Sequence, residues 1–327
     1  MGNSPATLRV FELIDRVAVS SATVMLTGES GTGKELVARE IHARSDRPEY
    51  AFLSISCAAI PAALLEAELF GYERGAFTDA KIRKKGLMET ADGGTVLLDE
   101  VGLMPPDLQA KFLRVLETQT FRHLGSTVDI RVDVRFIAAT NEDLGRAVAE
   151  GRFREDLFYR LNVFPIALPP LRARGDDILL VGNHFLGLYA GRYGKDGLGF
   201  SDEARSWLMR HDWPGNVREL RNVVERSVLL STGDVIRAED LAISQAEGHP
   251  LPEQRLPAVQ VTELGEIRIT MPPWGIAMED VERKMIEAAL ARARGNVSRA
   301  AELLRLSRDT MRYRMKKHRM GGDPQGD

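Results

Sequence analysis

The sequence predicts an α/β fold followed by a smaller, wholly helical segment, and three features predict it. Apolar runs at 24–26, 52–55, 93–100 and 134–140 alternate with helical patterns, as buried parallel strands and their covering helices do. The stretch Gly28-Glu29-Ser30-Gly31-Thr32-Gly33-Lys34-Glu35 joins the first run to a helix. Beyond residue 276, short helical patterns carry a strong basic excess.

With 327 residues the chain has room for one large core and one or two small modules. Its 44% hydrophobic and 28% charged residues are ordinary for a globular protein. Cys57 is the only cysteine, which excludes an intramolecular disulfide and suits a reducing compartment; it is expected as a small buried side chain. The histidines are scattered without paired ligand spacing, so no structural metal is expected. No signal segment opens the chain and no apolar run approaches a membrane span, so a cytoplasmic protein with no membrane partner is expected. Net charge is −3, yet between Arg292 and Arg319 ten basic residues face two acids, Glu302 and Asp309. That segment carries +8 and the remainder −11, an acidic body with a basic end suited to nucleic acid.

Leu8, Phe11, Ile14 and Val17 at helical spacing predict a first helix over 7–19. At 28–35 the glycines allow a tight turn whose backbone N–H groups surround phosphates. The helix from about Lys34 adds the positive end of its dipole, and Lys34 reaches the β- and γ-phosphates of a triphosphate. Glu35 stands where a Ser or Thr usually touches magnesium. Helix is expected to His42, a strand over 52–55, and from Pro61 a helix through Leu64, Leu65, Leu69 and Phe70. Residues 71–80, Gly-flanked around Phe77 and Thr78, read as an exposed loop, either a partner contact or an ordinary surface turn.

The strand over 93–100 ends in Asp99 and Glu100, at the carboxyl edge where ligands of open α/β sheets lie. Asp99 is expected to hold Mg²⁺, directly or through water, and Glu100 to orient and deprotonate an attacking water. A helix over 106–117, a hairpin over 121–134 turning at Gly125-Ser126 and a strand over 134–140 follow. Asn141, at that strand's tip, is expected to sense a γ-phosphate or to cap the helix before Leu144, and the two roles are compatible. Arg154 and Arg160 are six positions apart, about 120° around a helix, so one face does not present both equally to one point. Phosphate contact and pairing with Glu155 or Asp156 are both open to them. The pattern over 171–243 is helical, broken at 194–199 and at Trp213-Pro214-Gly215. Arg218, early in the helix from Asn216, reaches back to nucleotide or is solvated. Five prolines and little periodicity over 244–275 read as a linker, with a short strand at 267–270.

The last segment begins near Met278. Val281, Met285, Ala288, Ala289 and Ala293 form an apolar stripe that ends at Gly295. A short helix over 298–304, a turn at 305–307 and a basic helix over 308–318 capped by Ser307 have helix-turn-helix spacing. With Met311 and Met315 facing inward, Arg308, Asp309, Thr310, Arg312 and Tyr313 are left to reach base edges of double-stranded DNA. Lys316 and Lys317 suit its phosphates.

Taken in order, 28–35 (GESGTGKE), Glu68-Leu69-Phe70-Gly71, 75–80, 93–101, 138–141, 153–161, 213–220 and 298–315 resemble one family. It is the bacterial enhancer-binding proteins, the AAA+ activators of sigma-54 RNA polymerase with a Fis-type DNA-binding end. The resemblance covers nearly the whole chain. It implies a RecA-like AAA+ P-loop ATPase core over 1–170, an α-helical lid over 171–243, a linker over 244–275 and a Fis-type helix-turn-helix domain over 276–320. It also implies ATP and Mg²⁺ as cofactors, and a homo-oligomer, from dimer to hexameric ring, with ATP between subunits. Under it, Gly28, Glu29, Ser30, Gly31, Thr32, Gly33, Lys34 and Glu35 bind the phosphates, and Asp99 and Glu100 are the metal-holding and catalytic acids. Thr140 and Asn141 match the first nucleotide sensor and Arg218 the second. Arg154 and Arg160 match the arginine-finger region, so their target is the neighbour's ATP. Phe77 and Thr78 match the sigma-54 contact of the GAFTGA loop, in which Asp79 replaces the second glycine. Ser56 stands where the family usually has an asparagine proposed to restrain the catalytic glutamate.

The reading that follows is an activator that binds enhancer DNA and uses ATP hydrolysis to move the Phe77 loop and remodel the sigma-54 RNA polymerase closed complex. Asp79, charged and without glycine's freedom at positive φ, motivates a second reading, an AAA+ DNA-binding regulator that does not act on sigma-54. A third is a repressor that uses ATP only to assemble, against which the Asp99-Glu100 pair argues.

Overall fold

A parallel strand covered on both faces needs apolar side chains at every position, and the central strands of this protein are built that way. The computed structural model describes residues 2–77, 80–195, 197–241, 259–261, 267–269, 278–293 and 296–317. The chain begins α1 (Pro5–Ala18), β1 (Val24–Thr27), α2 (Lys34–Ala43), β2 (Phe52–Ser56), α3 (Ala62–Phe70), β3 (Gly71–Tyr72), β4 (Lys84–Lys85), α4 (Leu87–Thr90) and β5 (Thr95–Asp99). It continues with α5 (Pro106–Thr118), β6 (Thr120–Phe121), β7 (Ile130–Arg131), β8 (Arg135–Thr140), α6 (Leu144–Ala149), α7 (Glu155–Leu161) and β9 (Phe164–Ala167).

Five strands form one sheet in the order β2-β5-β8-β1-β9, every pair parallel. Side chains alternate across it. Met25, Val96, Leu98, Phe136 and Ala138 enter a core shared with α3 to α7, while Val24, Leu26, Leu97, Ile137 and Ala139 enter another under α1 and α2. Arg135, fully buried at the start of β8, donates to the carbonyls of Val17 and Ala18 at 2.7 and 2.8 Å and so closes the end of α1. In α1 the buried stripe is Thr7, Val10, Ile14 and Val17, whereas Leu8 is 47% exposed. The expected stripe was therefore right at Ile14 and Val17 and wrong at Leu8, where Val10 faces the sheet.

The sheet is followed by α8 (Asp177–Tyr193), β10 (Gly199–Phe200), α9 (Asp202–Arg210), α10 (Asn216–Leu230) and β11 (Val235–Ile236). These helices share their own core around Trp213, whose indole N–H donates to Leu208 O at 2.9 Å. The wholly helical expectation for 171–243 needs one correction: β10 and β11 form a two-stranded parallel pair. Asn141 is not the cap of α6 either. Asp143 is, its carboxylate accepting from the N–H of Arg146 at 3.1 Å. All of these elements belong to one compact unit, Met1–Ala246.

The second unit, Glu247–Asp327, holds β12 (Val259–Val261) and β13 (Ile267–Ile269) as an antiparallel pair, then α11 (Met278–Arg292), α12 (Val297–Leu303) and α13 (Arg308–Lys317). Ile286 and Ala289 of the first helix, with Ala293 just beyond its end, pack on Ala300, Ala301 and Met311. Met285 is 37% exposed, so the stripe runs through Ile286 instead. Gly295 and His318 lie outside the described residues. Among the described residues no helix is long and apolar enough to cross a membrane.

Candidate active site

The strand β1 ends at Thr27 and α2 begins at Lys34; the loop between them has a shape that two glycines make possible. Gly33 caps α2 at φ 100, and Gly31, at φ 78, lies so near the lid that a Cβ there would sit 2.3 Å from Gly215 O. Lys34 Nζ curls onto the loop, donating to the carbonyls of Gly28 at 2.8 Å and Glu29 at 3.1 Å. Burial pushes this ammonium below the ordinary lysine value, while Asp99 and Glu100 pull it back up.

Much of the loop's polarity is spent on the lid and on itself. Glu29 accepts from both guanidinium nitrogens of Arg172 and from Asn216 Nδ2 at 3.1 Å, and these bonds hold its carboxyl at about 2. Arg218 Nη1 donates to Ser30 Oγ at 2.9 Å, and the N–H of Val217 donates to Gly31 O at 3.0 Å. Thr32 is buried with its hydroxyl donating to Glu29 O at 2.8 Å, and Glu35 pairs with Arg39 at 2.7 Å one turn along. Glu29 and Thr32 thus face protein with their side chains; the loop's ligand-binding capacity lies in its backbone and in Lys34.

The acids sit two strands away. Burial pushes the Asp99 carboxyl above its usual value; the N–H of Glu100, donating to Oδ1 at 3.0 Å, opposes this, and the charges of Glu100 and Glu35 add to it. Glu100 has φ 54, and the Ser56 hydroxyl donates to its Oε2 at 3.3 Å. Cys57, next to Ser56, is buried, and burial with the charges of Asp99 and Glu100 pushes its thiol up to about 12, so it is inert. The order β5-β8-β1 puts the carboxyl ends of three strands side by side. There Ser30, Gly31, Gly33, Lys34, Glu35, Asp99, Glu100, Asn141 and Arg218 line one cavity of about 310 Å³, closed on the lid side by Phe185, Val217 and Arg221.

A second cavity of about 390 Å³ shares Gly33, Leu36, Phe185 and Val217 with the first and extends between α1, α2 and α8. Its walls include Val10, Phe11, Ile14 and Leu168, and it is mostly apolar. Sequence reading missed it, with Arg172, Arg174, Asn216 and Arg221. The arginines fall in helical patterns with no spacing motif, Asn216 lies in the 213–220 stretch without a role of its own being read there, and only the folded lid brings them to the loop.

Arg154 and Arg160 line neither cavity. Arg154 pairs with Asp156 at 2.7 Å, and Arg160 donates to Leu116 O at 3.2 Å. Phe77 is 43% exposed, with its ring edge on Tyr72 at 4.9 Å, and the turn around it is closed by Gly75 N to Ala80 O at 2.8 Å. Thr78 and Asp79 lie outside the described residues. Below this turn the buried His123 ring touches Glu73 through Nδ1 at 2.9 Å and Glu89 through Nε2 at 3.0 Å, with Arg83 and Lys85 paired to the same acids.

In the second unit Arg308, Asp309 and Arg312 are exposed on α13, and Thr310, half-buried, shares a 2.7 Å hydrogen bond with Ser307. Ser307 also caps α13, accepting from the N–H of Thr310 at 3.1 Å. Met311 is buried and Met315 packs partly against the same core. Arg314 is turned to Glu282 of α11 and is paired there. Tyr313, Lys316 and Lys317 lie on α13, but their side chains are outside the described ones. Among the described residues no three His, Cys, Asp or Glu gather to hold a metal by themselves.

Comparison with known proteins gives three family matches along the chain. Residues 1–167 match the family described as sigma-54 interaction domain, 172–255 the AAA+ ATPase lid domain, and 277–318 the bacterial regulatory protein, Fis family. Regulatory protein AtoC of Escherichia coli is 44% identical over 98% of this chain and 68% of its own length. Transcriptional regulatory protein XylR of Pseudomonas putida is 45% identical over 97% of this chain, which spans 56% of that protein. The crystal structure of NtrX from Brucella abortus in complex with ATP superposes with a TM-score of 0.69 at 37% identity, covering 97% of this chain and 68% of that one.

Proposed function

We propose, for a chain that belongs to the sigma-54 interaction domain family and carries its AAA+ lid and Fis-type segment, an ATP-driven activator of transcription. It binds double-stranded enhancer DNA, assembles into a ring, and uses hydrolysis to remodel the sigma-54 RNA polymerase closed complex. The observation that carries this reading is the gathering of Lys34, Asp99, Glu100, Asn141 and Arg218 around one cavity at the carboxyl ends of β1, β5 and β8.

Lys34 exchanges the two loop carbonyls it now holds for the β- and γ-phosphates, and the amides of 28–35 take the rest of the charge. The purine end takes the apolar cavity under α1. Glu100 is the general base: it orients water and accepts its proton as the oxygen attacks the γ-phosphorus. Asn141 and Arg218 read the γ-phosphate from the strand tip and the lid. Asp99 is the residue that would hold Mg²⁺, directly or through water, since its carboxylate lines the same cavity as Lys34 and the phosphate loop. A Mg²⁺ ion held by Asp99 would neutralise charge on the phosphates. Arg154 and Arg160, pointed away from this cavity, serve the neighbour's γ-phosphate across a subunit seam. Arg308, Asp309, Thr310, Arg312 and Tyr313 read bases, with Lys316 and Lys317 on phosphates.

The deciding experiment compares ATP turnover of the full chain with Glu100→Gln, with sigma-54-dependent transcription measured in parallel. The expected loss is about 10² to 10⁴-fold in turnover with nucleotide binding kept. Equal, near-zero rates in both proteins favour the non-hydrolysing repressor. Turnover without sigma-54-dependent transcription, in this chain and in Asp79→Gly alike, favours action on another polymerase form.

A further inference from the structure

Asp177, the first residue of α8, is 2% exposed, yet its carboxylate accepts hydrogen bonds from a single short segment at the other end of the unit. The N–H groups of Asn3 and Ser4 donate to Oδ1 at 2.6 and 3.0 Å, and the hydroxyls of Ser4 and Thr7 donate to Oδ2, both at 2.6 Å. Ser4 is at the same time the cap of α1. Gly2 packs so closely behind it that a Cβ would sit 2.4 Å from Thr7 Cγ2 and 2.8 Å from Asp177 Oδ2. One turn before Asp177, the half-buried guanidinium of Arg174 donates to Pro169 O and to Thr32 O in the phosphate loop, both at 2.8 Å. Thr7, Arg174 and Thr32 all line the apolar cavity beside that loop.

A buried carboxylate is costly unless charge-assisted hydrogen bonds satisfy it, and among the described residues its donors come from residues 3–7. The start of α8 therefore holds two things at once, the N-terminal segment through Asp177 and the phosphate loop through Arg174. We propose that Asp177 is a positioning residue for nucleotide: its latch on residues 3–7 holds the start of α1, whose Thr7, Val10 and Phe11 form one wall of the apolar cavity, and so sets affinity for the purine end, without touching the phosphates. This rests on the nucleotide reading of that cavity.

The test is calorimetric titration of the full chain with ADP and Mg²⁺, alongside unfolding temperature without nucleotide and the kcat and KM for ATP. Asp177→Asn keeps the size but turns an amide toward two hydroxyls; Thr7→Val removes one donor and keeps the shape. Ser201→Ala is the control for mere loss of stability, since Ser201 Oγ caps α9 by accepting from Ala204 N at 3.1 Å and neither residue lines the cavity. Asp177→Asn is expected to weaken ADP binding about tenfold and Thr7→Val about threefold, with KM raised and kcat within about twofold. Ser201→Ala is expected to lower the unfolding temperature and leave ADP affinity alone. The latch is overturned when Asp177→Asn and Thr7→Val bind ADP as tightly as the wild type. It is overturned equally when Ser201→Ala loses ADP affinity in the same proportion to its loss of stability as the two variants do. Should Asp177→Asn not fold, Thr7→Val decides by the same criterion. A wild type that binds no ADP overturns the nucleotide reading itself, an outcome distinct from variants that bind as the wild type does.

Discussion

The Ser56 hydroxyl donates to Oε2 of Glu100 at 3.3 Å, across the neighbouring strands β2 and β5, where Ser56 lies in register with Asp99. An O–H···O bond usually lies near ~2.7 Å, so this contact is stretched and holds the acid weakly. The direction of Glu100 is set first by its backbone, which sits at φ 54, in the left-handed region that side-chain-bearing residues seldom enter. Ser56 adds to that a tether rather than a lock.

Removing the tether should accordingly have a small effect. Ser56→Ala is expected to change basal ATP turnover by less than about tenfold, because a single stretched hydrogen bond contributes ~1 kcal/mol or less. Steady-state turnover of the two proteins checks this, and abolished hydrolysis in Ser56→Ala would show that the backbone does not hold Glu100 in place by itself.

Glu29 makes the contact between loop and lid depend on pH. Its hydrogen bonds to Arg172 and Asn216 hold the carboxyl at about 2, against an ordinary 4.5. The folded state thus favours the ionised form, so this contribution to stability is full above 4.5 and is lost as pH falls toward 2. Urea unfolding of wild type and Glu29→Gln should show the wild type more stable at neutral pH, with the gap narrowing below 4.5. A gap that stays constant on acidification would contradict the pairing.

His123 ties the stem of the Phe77 loop to the hairpin of β6 and β7, with Glu73 and Glu89 against its two ring nitrogens. His123→Ala leaves those carboxylates facing a void and each other. A loss of about 1 to 3 kcal/mol in unfolding free energy is expected from the two hydrogen bonds removed at a buried ring, Arg83 and Lys85 remaining paired to those acids. Faster amide exchange over 71–86 should accompany it, and exchange unchanged there would mean that the backbone pairing of β3 with β4 suffices.

What the sequence made legible follows from what chemistry needs at short range. The loop 28–35 and the acids 99–100 were readable because phosphate and metal require fixed spacing between a strand and a helix. The Glu29–Arg172 pair spans 143 positions and the His123–Glu73 contact 50, so no local pattern encodes them. Arg135 falls inside the strand expected over 134–140 with no local signal of its role, and only the packed sheet shows it buried against the end of α1. Leu8 and Met285 failed for a smaller reason: a helical stripe read from apolar residues alone is uncertain by one position at its edge. β10 and β11, two residues each, are too short to show a period.

Arg154 gives the sharpest test of assembly. It is exposed, its side chain paired among the described residues with Asp156 alone, and it lines neither cavity, so the phosphate it would reach is a neighbour's. Acting across a seam, it makes catalysis a joint property of two subunits, one supplying Glu100 and the other Arg154. Arg154→Ala alone should lose about 10³-fold or more in turnover, the usual order for an arginine that stabilises the transferring phosphate. Glu100→Gln alone should be comparably inactive. In a mixture, an Arg154→Ala subunit keeps its own Glu100, and a Glu100→Gln neighbour donates an intact Arg154, so a complete site forms at some seams. Mixing the two inactive proteins should therefore restore hydrolysis in proportion to mixed seams, rising with total protein concentration. A mixture as inactive as its components would place Arg154 outside the reaction and leave Arg160 as the arginine to examine in the same way.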